Sequence, residues 1–179
     1  MKTGFFWIPA SCMLAALLIA CEKKDVPAAV NGDGEELRAY FSQKTCREVI
    51  VREIERAKSR ICVQAYSFTS EEIVNALAEA KARGVRVTII LDSEKAEKRS
   101  EHRILRGKGL DTYIDSEHGK AHNKVILIDG ETIITGSFNF ADPRFESAEN
   151  ILVIKNSPRV MAAYEENFQE HLRHSEKGV

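Results

Sequence analysis

Apolar positions along this chain follow two rhythms, the 3.6-residue spacing of amphipathic helices and short β-branched runs, and their order predicts an α/β domain. Thr45-Cys46-Arg47-Glu48 reads as a capping box, and behind it Val49, Ile50, Ile54 and Ala57 recur at helical spacing up to Ser59. Arg60 to Phe68 reads as a strand. Thr69-Ser70-Glu71-Glu72 then opens a second helix, with Ile73, Val74, Leu77 and Ala80 facing inward and Gly84 as its stop. Val85 to Leu91 is a nearly unbroken β-branched run, the pattern of a strand buried on both faces. Ser93 to Arg106 predicts a charged helix closed by Gly107 or Gly109. Strands follow at Asp111 to Ile114, Ala121 to Ile128, Glu131 to Ser137 and Asn150 to Ile154. Ser157-Pro158 starts a last helix that runs towards His171. The order β-α-β-α-β, then a meander, then a helix predicts a mixed, mainly parallel sheet with helices on both faces. No internal repeat is visible.

The N-terminus follows neither rhythm. Met1 to Gly4 carries one positive charge, and the apolar run from Phe5 to Ala20 is too short for a comfortable membrane span, so residues 1–20 read as an export signal. The run ends Leu18-Ile19-Ala20-Cys21, which resembles the bacterial lipobox. That resemblance implies diacylation of Cys21, an anchor of two acyl chains, and a mature protein on a membrane facing the periplasm or the cell exterior. An ordinary cleaved signal and a retained N-terminal anchor are the other readings. Residues 21–36 are polar, with Pro and Gly and no periodicity, and read as a flexible tether. The folded domain is expected over 37–174 and a short tail over 175–179.

Of the four cysteines, Cys12 leaves with the signal and Cys21 is the lipid site, which leaves Cys46 and Cys62. A helix between them separates its ends by about 20 Å, and the returning strand recovers only about 7 Å. Bridged Cα atoms lie within roughly 7 Å, so two buried free thiols are expected. The formal charge is −1; removing residues 1–21 takes away Lys2 and no acid, giving −2. Any polyanion must therefore be held by a local basic patch, not by a global field.

The chemistry concentrates between His118 and Asn150. His122 and Lys124 share one face of a strand, so an imidazole and an ammonium converge. Asp129-Gly130 is a two-residue turn signal that folds Ala121 to Ile128 against Glu131 to Ser137. With that turn Ser137 lies opposite His122; slipped by one residue, Asn139 does. Either way His122, Lys124, Ser137 and Asn139 share a face. An imidazole, a cation, a hydroxyl and an amide without carboxylates make a phosphate site built from side chains, with no metal and no cofactor. Asp129 falls out of strand parity with Lys124 and reads as securing the turn. His118-x-Lys120 is not a second copy of the pattern, because Val125 stands where an aspartate is needed. Lys120 and Arg144 flank the site, and each reads as a solvated side chain or an extension of the patch. His102, His171 and His174 read as helix-surface residues without ligand-like partners. Asp92 and Glu94 at one strand end are not a metal site.

His122-x-Lys124-x-x-x-x-Asp129 matches the HxK(x)4D signature of the phospholipase D superfamily, Gly136-Ser137-Phe138-Asn139 matches its GSxN element, and Glu149-Asn150 matches the acidic residue that follows. Ile61 to Asp92 also resembles the first half of the small single-motif bacterial endonucleases in that superfamily. The resemblance covers about residues 37 to 174. It implies the phospholipase D-like fold and a metal-independent phosphodiesterase with His122, Lys124, Asp129 and Glu149 as its catalytic set. His122 would be the nucleophile that forms a phosphohistidine. Lys124, Ser137 and Asn139 would hold the non-bridging oxygens, and Glu149 would orient His122.

In-line displacement at phosphorus wants a nucleophile and a proton donor on opposite sides, two imidazole nitrogens within roughly 7 Å. The chain has one motif, and His118, four residues from His122, lies some 13 Å away along a strand. A homodimer pairing His122 with its counterpart is expected, as in similar single-motif enzymes, with activity that survives chelator. Domain size favours nucleic acid as substrate, and a lipid anchor keeps phospholipid head groups open. The third reading is a non-catalytic binding lipoprotein.

Overall fold

The computed structural model describes residues 29–30, 34–94, 101–141 and 147–178. The lipidation candidate Cys21, most of the tether and Arg144 lie outside them. Among the described residues one nine-stranded sheet runs in the order β1-β2-β8-β7-β6-β3-β4-β5-β9. Its strands are β1 (Ala29–Val30), β2 (Glu36–Phe41), β3 (Arg60–Ala65), β4 (Arg86–Asp92), β5 (Asp111–Asp115), β6 (Lys124–Ile128), β7 (Thr132–Gly136), β8 (Asn150–Lys155) and β9 (Glu176–Lys177). The helices are α1 (Gln43–Arg56), α2 (Glu71–Ala82), α3 (Glu101–Gly107) and α4 (Pro158–His174).

The sheet is mixed, but its parallel part is smaller than the helix-strand alternation implied. Only β3-β4 and β4-β5 are parallel; the other six pairings are antiparallel. The crossover helices force those two parallel neighbours, while the second half is a meander in which each strand returns beside the last. The segments read as tether and tail each supply a two-residue edge strand, β1 against β2 and β9 against β5. Edge pairing uses backbone groups and leaves little trace in a side-chain pattern.

Helices cover both faces, as the pattern predicts. Ile50 and Ile54 of α1, Ile73 and Leu77 of α2 and Leu105 of α3 pack with Val63, Ile89, Ile126 and Ile134 on one face. Met161 and Phe168 of α4 pack with Ile90, Val125, Leu127 and Ile133 on the other. Cys46 belongs to the first core and Cys62 lines the second, so the sheet itself separates the two free thiols. Cys46 is fully buried, and burial pushes its thiol up to about 11, helped by the Glu149 charge. Cys62 is only partly buried.

One local expectation shifts and one alternative is resolved. Helix α1 is capped at Ser42, not at Thr45: the Ser42 hydroxyl accepts from Thr45 N at 3.3 Å, and Ser42 N is itself tied to Glu149 O at 3.1 Å. The long-range contact fixes where the chain enters the helix. Gly109, with φ +74°, ends α3, because Leu110 N must turn back to Leu105 O.

The hairpin between β6 and β7 departs from both registers expected. The Asp-Gly turn forms, with φ +56° at Asp129 and +76° at Gly130 and Glu131 N donating to Ile128 O at 3.0 Å. Glu131 is then an extra, bulged residue whose carbonyl accepts from Asn156 N, so Ile128 pairs with Thr132. Adding one residue flips every facing pair. Continued, the ladder would set Phe138 opposite His122, with Ser137 and Asn139 on the other face; β7 instead stops at Gly136.

The Asp129 carboxylate accepts from Lys58 N, Ser59 N and Ser59 Oγ, each at 2.8 Å, and from Arg60 N at 3.0 Å. While the turn itself rests on the backbone conformation of Asp129 and Gly130, the carboxylate therefore clasps the α1-β3 junction. Burial raises its pKa, but these bonds outweigh burial and leave the carboxyl below the usual value. Replacing Asp129 by alanine should cost about 1–2 kcal/mol for the hydrogen bonds lost from its carboxylate and about 1 kcal/mol more for a left-handed alanine. A group with a depressed folded pKa stabilises above its unfolded pKa of about 3.9 and loses that contribution as pH falls below it. The gap between thermal melts of wild type and Asp129→Ala should therefore be widest at pH 7 and narrow in acid to the backbone cost alone; a gap that is constant at all pH values would show that the charge is idle.

Candidate active site

The amino end of β6, the carboxyl ends of β3, β4, β5 and β7, and the amino end of β8 meet at one edge of the sheet. Carboxyl ends of parallel strands in an open α/β sheet are where ligands usually bind. The loop of residues 116–123 crosses this edge. Ala121 N donates to the buried Asp92 carboxylate at 2.8 Å, and Tyr66 N donates to Asn123 O at 3.0 Å. Asp92 thus serves as the loop's backbone anchor.

His122 rises from this loop just ahead of β6 and is exposed; Lys124, two residues on, is 8% exposed. The Lys124 ammonium lies 3.0 Å from His122 Nδ1 and 3.2 Å from Nε2, and donates to His122 O at 3.0 Å. Burial lowers the Lys124 pKa, and the negative charge of Glu149 opposes the shift. Tyr66, which the sequence reading did not single out, packs its ring 4.2 Å from the His122 ring, centroid to centroid, at 59°, and Lys124 Nζ lies 5.2 Å from the same ring. No local pattern announces Tyr66; it arrives because β3 pairs with β6, Ala65 opposite Lys124.

Gly136 ends β7 where no side chain fits, since a Cβ there would strike the carbonyl oxygen of Asn150 and the Cα of Ile151. Beyond it the chain leaves the ladder with Phe138 and Phe140 driven into the core. Phe140 O accepts from Thr69 N and Ser70 N, at 2.9 and 3.0 Å. These anchors alternate with Ser137 and Asn139, which accounts for the spacing of the GSxN element. Ser137 Oγ donates to Glu149 Oε2 at 2.5 Å, and Ser147 Oγ to Glu149 Oε1 at 3.1 Å. Ser137 Oγ also accepts from Asn150 N. Asn139 Oδ1 is buried without a hydrogen-bond partner.

The structure therefore brings His122 and Lys124 into contact, and Ser137 and Glu149 into contact. It links the pairs through the field of Glu149 at Lys124 and sets Asn139 two residues past Ser137. The observed register does not give the expected face-sharing: Ser137 and Asn139 lie past the last pair of β7, and the link to Lys124 is the charge of Glu149. Glu149 engages the serine hydroxyls and bears on Lys124, contacts other than the imidazole orientation expected of it. Asp129 stands at the far end of β6.

A second cluster escaped the sequence reading. His171 and His174 were expected to lack partners, yet Asp115 Oδ2 lies 2.6 Å from His171 Nδ1, 3.3 Å from His174 Nε2 and 3.4 Å from His118 Nδ1. The signals were two i, i+3 pairs, Asp115 with His118 and His171 with His174, and nothing local says that the pairs meet. The apposition of β5 and α4 creates it.

Residues 50–172 match the family described as cardiolipin synthase, PLD-like domain. Phospholipase D of Rickettsia conorii is 42% identical over 116 residues, which make up 62% of this chain and 56% of that protein. Mitochondrial cardiolipin hydrolase of Xenopus laevis is 30% identical over 110 residues, 61% of this chain and 51% of that one. The chain thus spans about half the length of the curated relatives it matches. Among solved structures, the phospholipase D family member Nuc from Salmonella typhimurium superposes with a TM-score of 0.74 at 30% identity, over 80% of this chain and 98% of that one. NucT from Helicobacter pylori shares the fold, with a TM-score of 0.68 at 19% identity, over 80% of this chain and all of that one. With a family match across well over half of its residues, and with the motif's histidine and lysine in contact at the sheet edge, the chain belongs to the phospholipase D-like family.

Proposed function

We propose that this protein is a phosphodiester hydrolase that works through a phosphohistidine at His122, acting on a nucleic-acid backbone. The observation that carries the reading is a buried ammonium, Lys124, held 3.0 Å from an exposed imidazole. A desolvated cation binds a phosphate oxygen more strongly than a solvated one, and the imidazole beside it is placed to attack phosphorus. A His122 ring nitrogen forms the P–N bond while the P–O bond to the leaving group breaks, and a second imidazole gives that oxygen its proton. Water, losing its proton to the same base, then breaks the P–N bond. Ser137, Asn139 and Lys124 hold the non-bridging oxygens, Asn139 by donating from its amide Nδ2. No divalent ion takes part at the phosphorus.

Nucleic acid is preferred because the domain is compact and matches Nuc over 98% of that chain, a likeness to small single-domain relatives. Phospholipid head groups are the second reading, favoured by the apolar run ahead of Cys21 and by relatives named Phospholipase D. Purified protein incubated with plasmid, single-stranded DNA, RNA and vesicles of phosphatidylcholine or cardiolipin separates the two. Cleavage of nucleic acid by wild type and not by His122→Ala is the expected result; head-group release alone selects the lipid reading. Turnover of none of them would leave a binding protein.

Export and acylation at Cys21 belong to the same proposal. Among the described residues no helix is long and apolar enough to cross a membrane; attachment is assigned to the N-terminus on the strength of Leu18-Ile19-Ala20-Cys21. Mass spectrometry of the protein from membrane fractions should find a diacylated Cys21 as the first residue; an intact Met1 or an unmodified Cys21 would remove the anchor.

A further inference from the structure

We propose that Asp115, His118, His171 and His174 form a structural metal site for a zinc-class ion, on the face of the sheet opposite to the Lys124 side chain. Strand alternation settles the face. Lys124 has the parity of Ile126, which packs under α1 and α2; Asp115 pairs with Asp92, two residues from Ile90 in the α4 core.

Three imidazoles and a carboxylate are ligands that zinc accepts in four-coordinate sites. Their ligand atoms all lie within 4.8 Å of one another. Bonds of about 2.0–2.1 Å in a tetrahedron put ligand atoms about 3.3 Å apart. The separations from Asp115 Oδ2 to His174 Nε2 and His118 Nδ1, 3.3 and 3.4 Å, already have that value. The 2.6 Å contact with His171 Nδ1 is a hydrogen bond that a metal would replace.

A hydrogen-bonded carboxylate without metal is the competing account, and two details weigh against it. Three ring nitrogens converge on the single atom Oδ2, while Oδ1 accepts from Glu117 N at 3.1 Å, an outer bond of the kind that orients a metal-binding carboxylate. His174 Nε2 is buried yet makes no hydrogen bond, despite lying 3.3 Å from Oδ2. A buried polar atom left unsatisfied is costly, and a metal bond would satisfy it.

With four protein ligands the polyhedron is closed, which suits a structural ion and not a catalytic one. It would staple β5, the loop of residues 116–123 and α4 together. That loop delivers His122 to the other face, so the ion would stiffen the nucleophile's support without touching phosphate. Chelator would then act on stability while leaving the chemistry intact.

Chelator-stripped protein titrated with Zn²⁺ tests the site, read by metal content, by thermal melting and, with Co²⁺ in place of Zn²⁺, by the visible absorption of tetrahedral cobalt. The expected results are one ion per chain, a raised Tm and the cobalt spectrum, with His171→Ala lacking all three. Because His171 is buried and its loss could unfold the protein, His118→Ala is the second variant. The His118 side chain is 49% exposed, and its loss should weaken Zn²⁺ binding at least about tenfold in a protein that still folds. Stripped wild type whose Tm ignores Zn²⁺, or His118→Ala that binds Zn²⁺ as wild type does, would overturn the proposal. None of these readouts uses turnover, so they stand or fall separately from the phosphohistidine reading.

Discussion

Alanine at His122 or at Lys124 should lower phosphodiester turnover by roughly 10⁴-fold or more, the scale seen when a nucleophile or its partner is removed, while Tm moves by no more than about 2–4 °C. The two halves of that expectation have separate causes. His122 is exposed, and its truncation opens no cavity in the core. Lys124 is buried, but its ammonium is held below its ordinary pKa by desolvation, opposed by Glu149. A fold that disfavours a charged group gains when the charge is deleted, and this gain offsets the packing lost with the side-chain stem. The kinetic halves also differ. Without His122 there is no covalent intermediate, so a chemical trap of the phosphoenzyme should come up empty. With Lys124→Ala the nucleophile survives, and a slow, trappable intermediate should remain. Arginine at position 124 restores charge without the compact point donor and should rescue little. Wild-type rates in His122→Ala would end the phosphohistidine reading, whereas a collapsed Tm in either variant would show that the pair serves the fold.

Much of the fold was legible because its signals are local. The second helix was read from Ile73, Val74, Leu77 and Ala80, and all four are buried. The meander strands were read from β-branched runs, and they pair in the expected sequence. The two-faced helix cover followed from the same patterns. What failed was set at long range. The hairpin register depended on whether Glu131 joins the ladder, and Asn156, just past the end of β8, bonds to its carbonyl. The α1 cap moved to Ser42 because Glu149, just ahead of the neighbouring strand β8, holds that residue's N–H. In the candidate site, His122, Lys124, Ser137, Asn139 and Glu149 were legible through spacing and resemblance. Tyr66 and Asp92 were not, since their importance lies in pairings between β3, β4 and the β5-β6 loop. The three histidines around Asp115 show the same limit: two short i, i+3 pairs are commonplace in isolation and become chemistry only when α4 lies across β5.

The second large effect expected is loss of activity on dilution, because the active unit is inferred to be a symmetric dimer with His122 of each protomer facing the other. Displacement at phosphorus needs a neutral imidazole to attack and a protonated one on the far side to release the leaving oxygen, two nitrogens within roughly 7 Å. The chain has five histidines. His118, His171 and His174 converge on Asp115, engaged on the α4 side of the sheet, which strengthens the case that His118 is not the donor. His102 is carried by α3, outside the motif. One protomer thus offers one suitable imidazole, and the exposure of His122 leaves it open to a partner. Specific activity should fall as concentration drops below the dimer's dissociation constant, in step with mass by light scattering. Mixing wild type with inactive His122→Ala should reduce activity per wild-type protomer, since each mixed dimer holds a single imidazole. The rate should be bell-shaped in pH, because one imidazole must lose its proton and the other keep it; the two limbs belong to the coupled pair and not to either residue. His102→Ala should leave the profile unchanged. A monomer with full activity in dilute solution, or a rate that rises with pH to a plateau, would rule the shared site out.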